Sequence, residues 1–80
     1  MKRFLLHNHH EPDECGVTFA AFKGHSSPLR RHKTASSCLT GGHEIWWLVE
    51  AETEDAALAL LPRYVAERST AMPIRPVLIP

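Results

Sequence analysis

Apolar and polar positions alternate from Lys2 to His9, with Phe4, Leu6 and Asn8 on one side and Leu5, His7 and His9 on the other, which predicts a strand. Pro12 then occupies a first helical position, and Asp13 and Glu14 suit the positive end of a helix dipole. A helix should follow, with Cys15, Phe19 and Phe22 as its apolar stripe and Gly24 at its end. The stretch from His25 to Lys33, with Ser26-Ser27-Pro28, reads as a loop. A short strand around Ala35 to Thr40 and a longer one from Glu44 to Ala51 flank Gly41-Gly42, a hairpin signal because glycine supplies positive φ cheaply. Thr53 is a natural N-cap for a second helix carrying Ala57, Leu60, Leu61 and Tyr64 on one face. Pro62 predicts a kink or break near Leu61. The last segment, Met72 to Ile79, is expected to be an extended edge strand, because Pro73, Pro76 and Pro80 each remove a backbone donor.

The order strand, helix, strand, strand, helix, strand predicts an α+β fold, the ferredoxin-like or split βαβ arrangement. A single domain over residues 1–80 is expected, with the first and third strands central in an antiparallel four-stranded sheet and two helices on one face. Chain direction then matters for chemistry. The end of the first strand, the start of the first helix, the end of the second strand and the start of the third share one edge of the sheet. His9, His10, Cys15, Cys38 and His43 should therefore gather there.

Trp46 and Trp47 are adjacent on a strand, so one ring faces the helices and the other the open side of the sheet. A covered Trp buries on the order of 200 Å², and an open face carrying one beside Leu48, or beside Ile45 and Val49, is too apolar to stay bare. A second copy packed face to face is the economical cover, giving a homodimer with a small barrel and a cavity between the sheets.

Length sharpens that expectation. A chain of 80 residues buries only about 60% of its unfolded surface, and small cores are commonly supplemented by a metal, a disulfide or a partner. The 44% hydrophobic and 22% charged content is that of an ordinary folded domain. Net charge is zero with neutral histidines, so no long-range field collects nucleic acid or an anionic membrane. The basic run Arg30-Arg31-His32-Lys33 lacks interleaved aromatics and reads as a solvated loop. Lys2-Arg3-Phe4-Leu5-Leu6 lacks the pattern of a signal peptide, and no stretch approaches the ~20 apolar residues that span a bilayer. The expected location is cytoplasmic, where two cysteines serve as thiols, redox groups or ligands.

Those cysteines and the early histidines carry the candidate chemistry. His7 and His9 occupy alternate strand positions and project from one face about 7 Å apart, within reach of one ion. Cys15, in a first helical turn, has its thiolate favoured by the dipole, and Cys38 and His43 complete a mixed sulfur and nitrogen shell. Such a shell suits zinc, nickel or copper rather than magnesium or calcium. The competing readings are structural: His7 on a central strand or at a dimer seam, His10 exposed beside Glu11, and Cys15 and Cys38 as small buried hydrophobes. A reversible Cys15–Cys38 disulfide is a further alternative. A pocket reading instead places His7 or His9 as a general base in the cavity between sheets, with a Trp wall for a planar small-molecule ligand.

The layout resembles the dimeric α/β-barrel superfamily of ferredoxin-like proteins. The short first strand, the paired helices and the closing pattern Ala56-Ala57-Leu58-Ala59-Leu60-Leu61-Pro62 with Tyr64-Val65 are similar to the small bacterial nickel-binding ferredoxin-like proteins. The resemblance implies a dimer, and either metal binding or a pocket chemistry such as haem degradation, isomerisation or dehydration. No family catalytic motif lies on this sequence, so no catalytic residue is carried over. The density of His and Cys around positions 7 to 15 is a departure, since a generic barrel member does not require it.

Overall fold

The computed structural model describes residues 1–80. The strands are β1 (Lys2–His9), β2 (Ala35–Ser36), β3 (Glu44–Ala51) and β4 (Ser69–Pro73). The helices are α1 (Cys15–Ala20), α2 (Glu54–Leu58) and α3 (Arg63–Ala66), with 3₁₀ turns at Pro12–Glu14 and Cys38–Thr40. All pairings are antiparallel, in the order β2-β3-β1-β4, so the first and third strands are central.

Alternation along the central strands decides where the core lies. Phe4 and Leu6 of β1 face the same way as Ile45, Trp47, Val49 and Ala51 of β3, and all are buried. Ala57, Leu61 and Val65 close this layer from the α2–α3 side, and Ala21 and Phe22 lean on it from the segment after α1. The Phe22 ring meets the Trp47 ring at 6.0 Å between centroids. Burying one such large aliphatic or aromatic side chain contributes about 1.5–3 kcal/mol.

The other face of the sheet carries Leu5, His7, Trp46 and Leu48. Trp46 is half-buried because it stacks on His7, with centroids 5.3 Å apart and the planes 12° from parallel. Leu48 is 59% exposed, and Met72 of β4 is 62% exposed. The two tryptophans thus divide between faces as their adjacency demands.

Several boundaries differ from the sequence expectation. The first helix is short: α1 stops at Ala20, and Phe22, Lys23 and His25 bond three residues back, which tightens the chain into turns as far as Gly24 at φ +76°. Gly16 and the β-branched Val17 and Thr18 lower its helix propensity. The second strand is only Ala35–Ser36 instead of running to Thr40. Ser37 ends it, since its carbonyl accepts from both Thr40 N and Gly42 N and draws Cys38–Thr40 into a 3₁₀ turn. Gly42 is required in this turn because an added Cβ would run into the Ser37 side chain. The last strand starts earlier than expected, at Ser69, and ends at Pro73; Ile74 N still reaches Arg3 O at 3.0 Å. It is an edge strand, where a missing proline donor is tolerated. The second helix does break at its proline: α2 ends at Leu58 and Pro62 is the N-cap of α3. Thr53 caps α2 through Oγ1, which accepts from Ala56 N at 3.1 Å.

No helix is long and apolar enough to cross a membrane.

Candidate metal centre

The even-numbered face of β1 does not stop being chemical where it stops being apolar. Asn8 follows Phe4 and Leu6 on that face and is fully buried, and His10, two residues on, is only 2% exposed. His10 N donates to His43 O at 3.0 Å, which extends the β1–β3 pairing by one step and keeps the ring on the buried side. A buried amide is costly unless satisfied. Asn8 Nδ2 lies 3.4 Å from Val65 O, 3.2 Å from Arg68 O and 3.2 Å from Ser69 Oγ. Carbonyl oxygens accept only, so they fix which end of the amide is nitrogen. Asn8 Oδ1 must then accept from His10 Nδ1, 2.8 Å away. The proton sits on Nδ1, and the lone pair of His10 sits on Nε2.

That Nε2 lies 3.5 Å from Cys38 Sγ. Around it, ligand atoms of His10, Cys15, Cys38 and His43 all lie within 4.8 Å of one another. Each arrives by a different local device. His10 continues β1, Cys15 opens α1 after the Pro12–Glu14 turn, Cys38 sits in the 3₁₀ turn folded around Ser37, and His43 precedes β3. Gly41, at φ +93°, turns the chain between the last two. The Pro12–Glu14 turn is held by Glu11 N donating to Glu14 Oε1 at 2.9 Å. Glu14 Oε2 in turn accepts from Tyr64 OH and from Arg68 Nε, each at 3.0 Å. Thr18 Oγ1 donates back to Glu14 O at 2.8 Å. The segment bearing Cys15 is therefore pinned to the α3–β4 region.

The electrostatics of the group follow from crowding and burial. Burial, then the neighbouring His43, push the His10 pKa down, against a smaller opposing pull from Glu14, so the ring favours its neutral, ligating form. Burial and the adjacent Cys38 sulfur push the Cys15 thiol up. Two thiols side by side resist ionising together, and a bound dication would reverse that preference. His43 Nδ1 is buried and has no hydrogen-bond partner. It is a buried polar atom whose hydrogen-bonding capacity no other protein group meets. Both cysteines are free and partly buried.

Of the residues singled out from sequence, Cys15, Cys38 and His43 come together and His7 and His9 do not join them. His7 projects from the open face, where Nε2 bonds Glu44 Oε1 at 2.7 Å and the ring stacks on Trp46. His9 is exposed. Strand alternation is the reason: positions 7 and 9 share a face, and it is the face away from the thiols. His10, which the sequence reading allowed to be exposed, takes their place, and Asn8 stands behind it. Parity points to them, a polar residue in line with Phe4 and Leu6 and a histidine two positions on, but nothing local marks the ladder as continuing past His9.

No protein-family model, curated protein or solved structure matches the chain.

Proposed function

We propose that this protein binds a transition metal ion, zinc foremost, through His10, Cys15, Cys38 and His43, and serves in metal sequestration, sensing or delivery. One observation carries the reading: two imidazoles and two thiols from four separate segments have their ligand atoms within 4.8 Å of one another. Ligand atoms of a tetrahedral zinc site, at about 2.0–2.3 Å from the ion, are spaced roughly 3.3–3.8 Å apart, so a small contraction completes the shell. Two thiolates neutralise a dication, which removes most of the cost of holding charge in a partly buried place. The Asn8–His10 bond supplies the outer support that metal-bound histidines use. The donors are nitrogen and sulfur, which excludes magnesium and calcium and leaves nickel and copper as the competitors of zinc. A reducing compartment such as the cytoplasm would keep both thiols available.

The test is elemental analysis of protein purified without a histidine tag, repeated for His10→Ala and Cys15→Ala. One metal per chain, lost in both variants, is expected. Substoichiometric metal that neither change affects would overturn the reading.

The ferredoxin-like architecture belongs to the same proposal. Support for it comes from the strand order β2-β3-β1-β4 and from α2–α3 residues sharing one core layer with the segment after α1. A homodimer through the open face is supported by the exposed Leu48 and Met72. A second functional reading, a small planar organic ligand, is favoured by one specific feature. A cleft of ≈ 480 Å³ on the open face is lined by Leu5, Trp46, Leu48 and Lys33, within the usual range for ligand sites. No histidine that the pocket reading assigned as a base lines it; His32 does.

A further inference from the structure

We propose that Cys15 and Cys38 form a hydroperoxide-reactive dithiol whose oxidation to a disulfide expels the bound metal. The release step rests on the metal reading given above; the bond itself rests on the two sulfurs alone. They lie within 4.8 Å of each other, both thiols are free, and neither residue is fully buried. A disulfide needs about 2.05 Å between sulfurs, and the segment bearing Cys38 is able to supply the movement. It is a three-residue 3₁₀ turn after a two-residue strand, followed by a fully exposed Leu39 and by Gly41 in the left-handed region.

The chemistry balances with the peroxide as sole oxidant. The Cys38 thiolate attacks the terminal oxygen of the hydroperoxide, the O–O bond breaks, and the alkoxide leaves and takes a proton as the alcohol. The sulfenic acid formed is then attacked by the second thiolate. The S–S bond forms, the S–O bond breaks, and hydroxide leaves and takes a proton as water. Two thiols and one hydroperoxide give one disulfide, one alcohol and one water. The attacked sulfur never waits long as sulfenic acid, because its partner is already adjacent, and over-oxidation is avoided. Once both sulfurs are joined, only the imidazoles of His10 and His43 remain as donors. Two neutral nitrogens hold a dication far more weakly than a shell that includes two thiolates.

The experiment uses the full chain, zinc-loaded and metal-free, titrated with hydrogen peroxide. Free thiols, intact mass and peptide mapping report the bond, and a chromophoric chelator reports zinc. Expected in the loaded protein are loss of both thiols, a mass lower by two hydrogens, an intramolecular Cys15–Cys38 peptide and release of the zinc, all reversed by dithiothreitol. In Cys15→Ser, dimedone should trap a sulfenic acid on Cys38 and no intramolecular bond should form. If the chain binds no zinc yet the metal-free form still joins Cys15 to Cys38, the metal reading falls and the dithiol assignment stands. If the metal-free chain gives only sulfinic acids or bonds between chains, the dithiol assignment is overturned whatever the zinc content. Zinc retained by a chain in which the disulfide has formed would overturn the release step.

Discussion

Asn8 Oδ1 accepts from His10 Nδ1 at 2.8 Å, and this one contact determines that His10 presents Nε2 to the Cys38 thiol. The amide is itself oriented by acceptors that lie 57 or more residues away along the chain. Asn8→Leu keeps the branching and heavy-atom count of the side chain and removes the acceptor. Zinc affinity should fall about 10–100-fold, the usual cost of losing an outer-shell partner. Competition against a chromophoric chelator measures it, with circular dichroism confirming the fold. Unchanged affinity would show that the ring needs no such support.

Metal binding should stabilise the fold measurably. A ligand that binds only the folded chain adds about 2.7 kcal/mol when present at roughly one hundred times its dissociation constant. For a domain of this size that raises Tm on the order of 10–20 °C. Thermal unfolding with zinc and with excess chelator gives the difference, and His10→Ala should abolish it. A Tm indifferent to zinc would count against a folded-state site.

Acid should weaken the metal-free fold through two groups, His10 and Glu14, each shifted down in the folded chain. The His10 pKa is lowered by burial and by His43, so the unfolded chain takes up a proton near 6.5 before the folded chain does. Stability present above that value is lost as pH falls through the lowered folded value. Glu14 is also shifted down, first by the Glu11 backbone N–H, then by Tyr64 and Arg68. For a carboxylate this means stability fully present above 4.5 and lost as pH falls through the lower folded value. Melting curves across pH for the wild type and Glu14→Gln should differ at neutral pH and converge in acid. A constant gap down to pH 2 would place the effect outside the carboxylate's charge.

Thr53→Ala removes the side-chain acceptor that holds Ala56 N at the start of α2. The expected cost is about 1 kcal/mol, read as a drop of roughly 4–8 °C in Tm. Thr53→Ser should recover most of it, because the hydroxyl is what caps; failure of serine to do so would point to the methyl group.

The proposed second copy on the open face predicts that the wild type elutes as a dimer by light scattering, and that Leu48→Glu and Met72→Glu, which place charge on that face, leave a monomer. A wild-type chain that is monomeric at high concentration would remove the second copy as the cover of this face. The cleft beside Trp46 would then be open to solvent or to a small ligand.

Much of the scaffold was legible because its causes are local. Thr53 caps, Pro62 interrupts, and Glu44 to Ala51 alternates, each by chemistry confined to a few neighbours. The short second strand was not legible, because Ser37 ends it through bonds to Thr40, Gly42 and Glu44 that exist only once the turn has closed. The site divides in the same way. Chain direction brought Cys15, Cys38 and His43 to one edge, since topology fixes where segment ends lie. The choice between His7 with His9 and His10 turned on a single residue of parity. The apolar pair Phe4 and Leu6 already marked the buried side, but a histidine just past the end of a strand gives no local sign that the ladder continues through it.

Between Cys15 and Cys38 only Thr18 is fully buried, and Ala21, Phe22 and Leu29 reach the core from partly exposed positions. A tie between the two sulfurs therefore closes a long, lightly anchored arc, and closing a loop of roughly 24 residues is worth about 3.5 kcal/mol in chain entropy. A shared ion and a sulfur–sulfur bond would cinch the same arc at the same two points. The molecule would then pass between its loaded and oxidised forms by exchanging one buckle for another, with the strap drawn tight at both ends of the cycle.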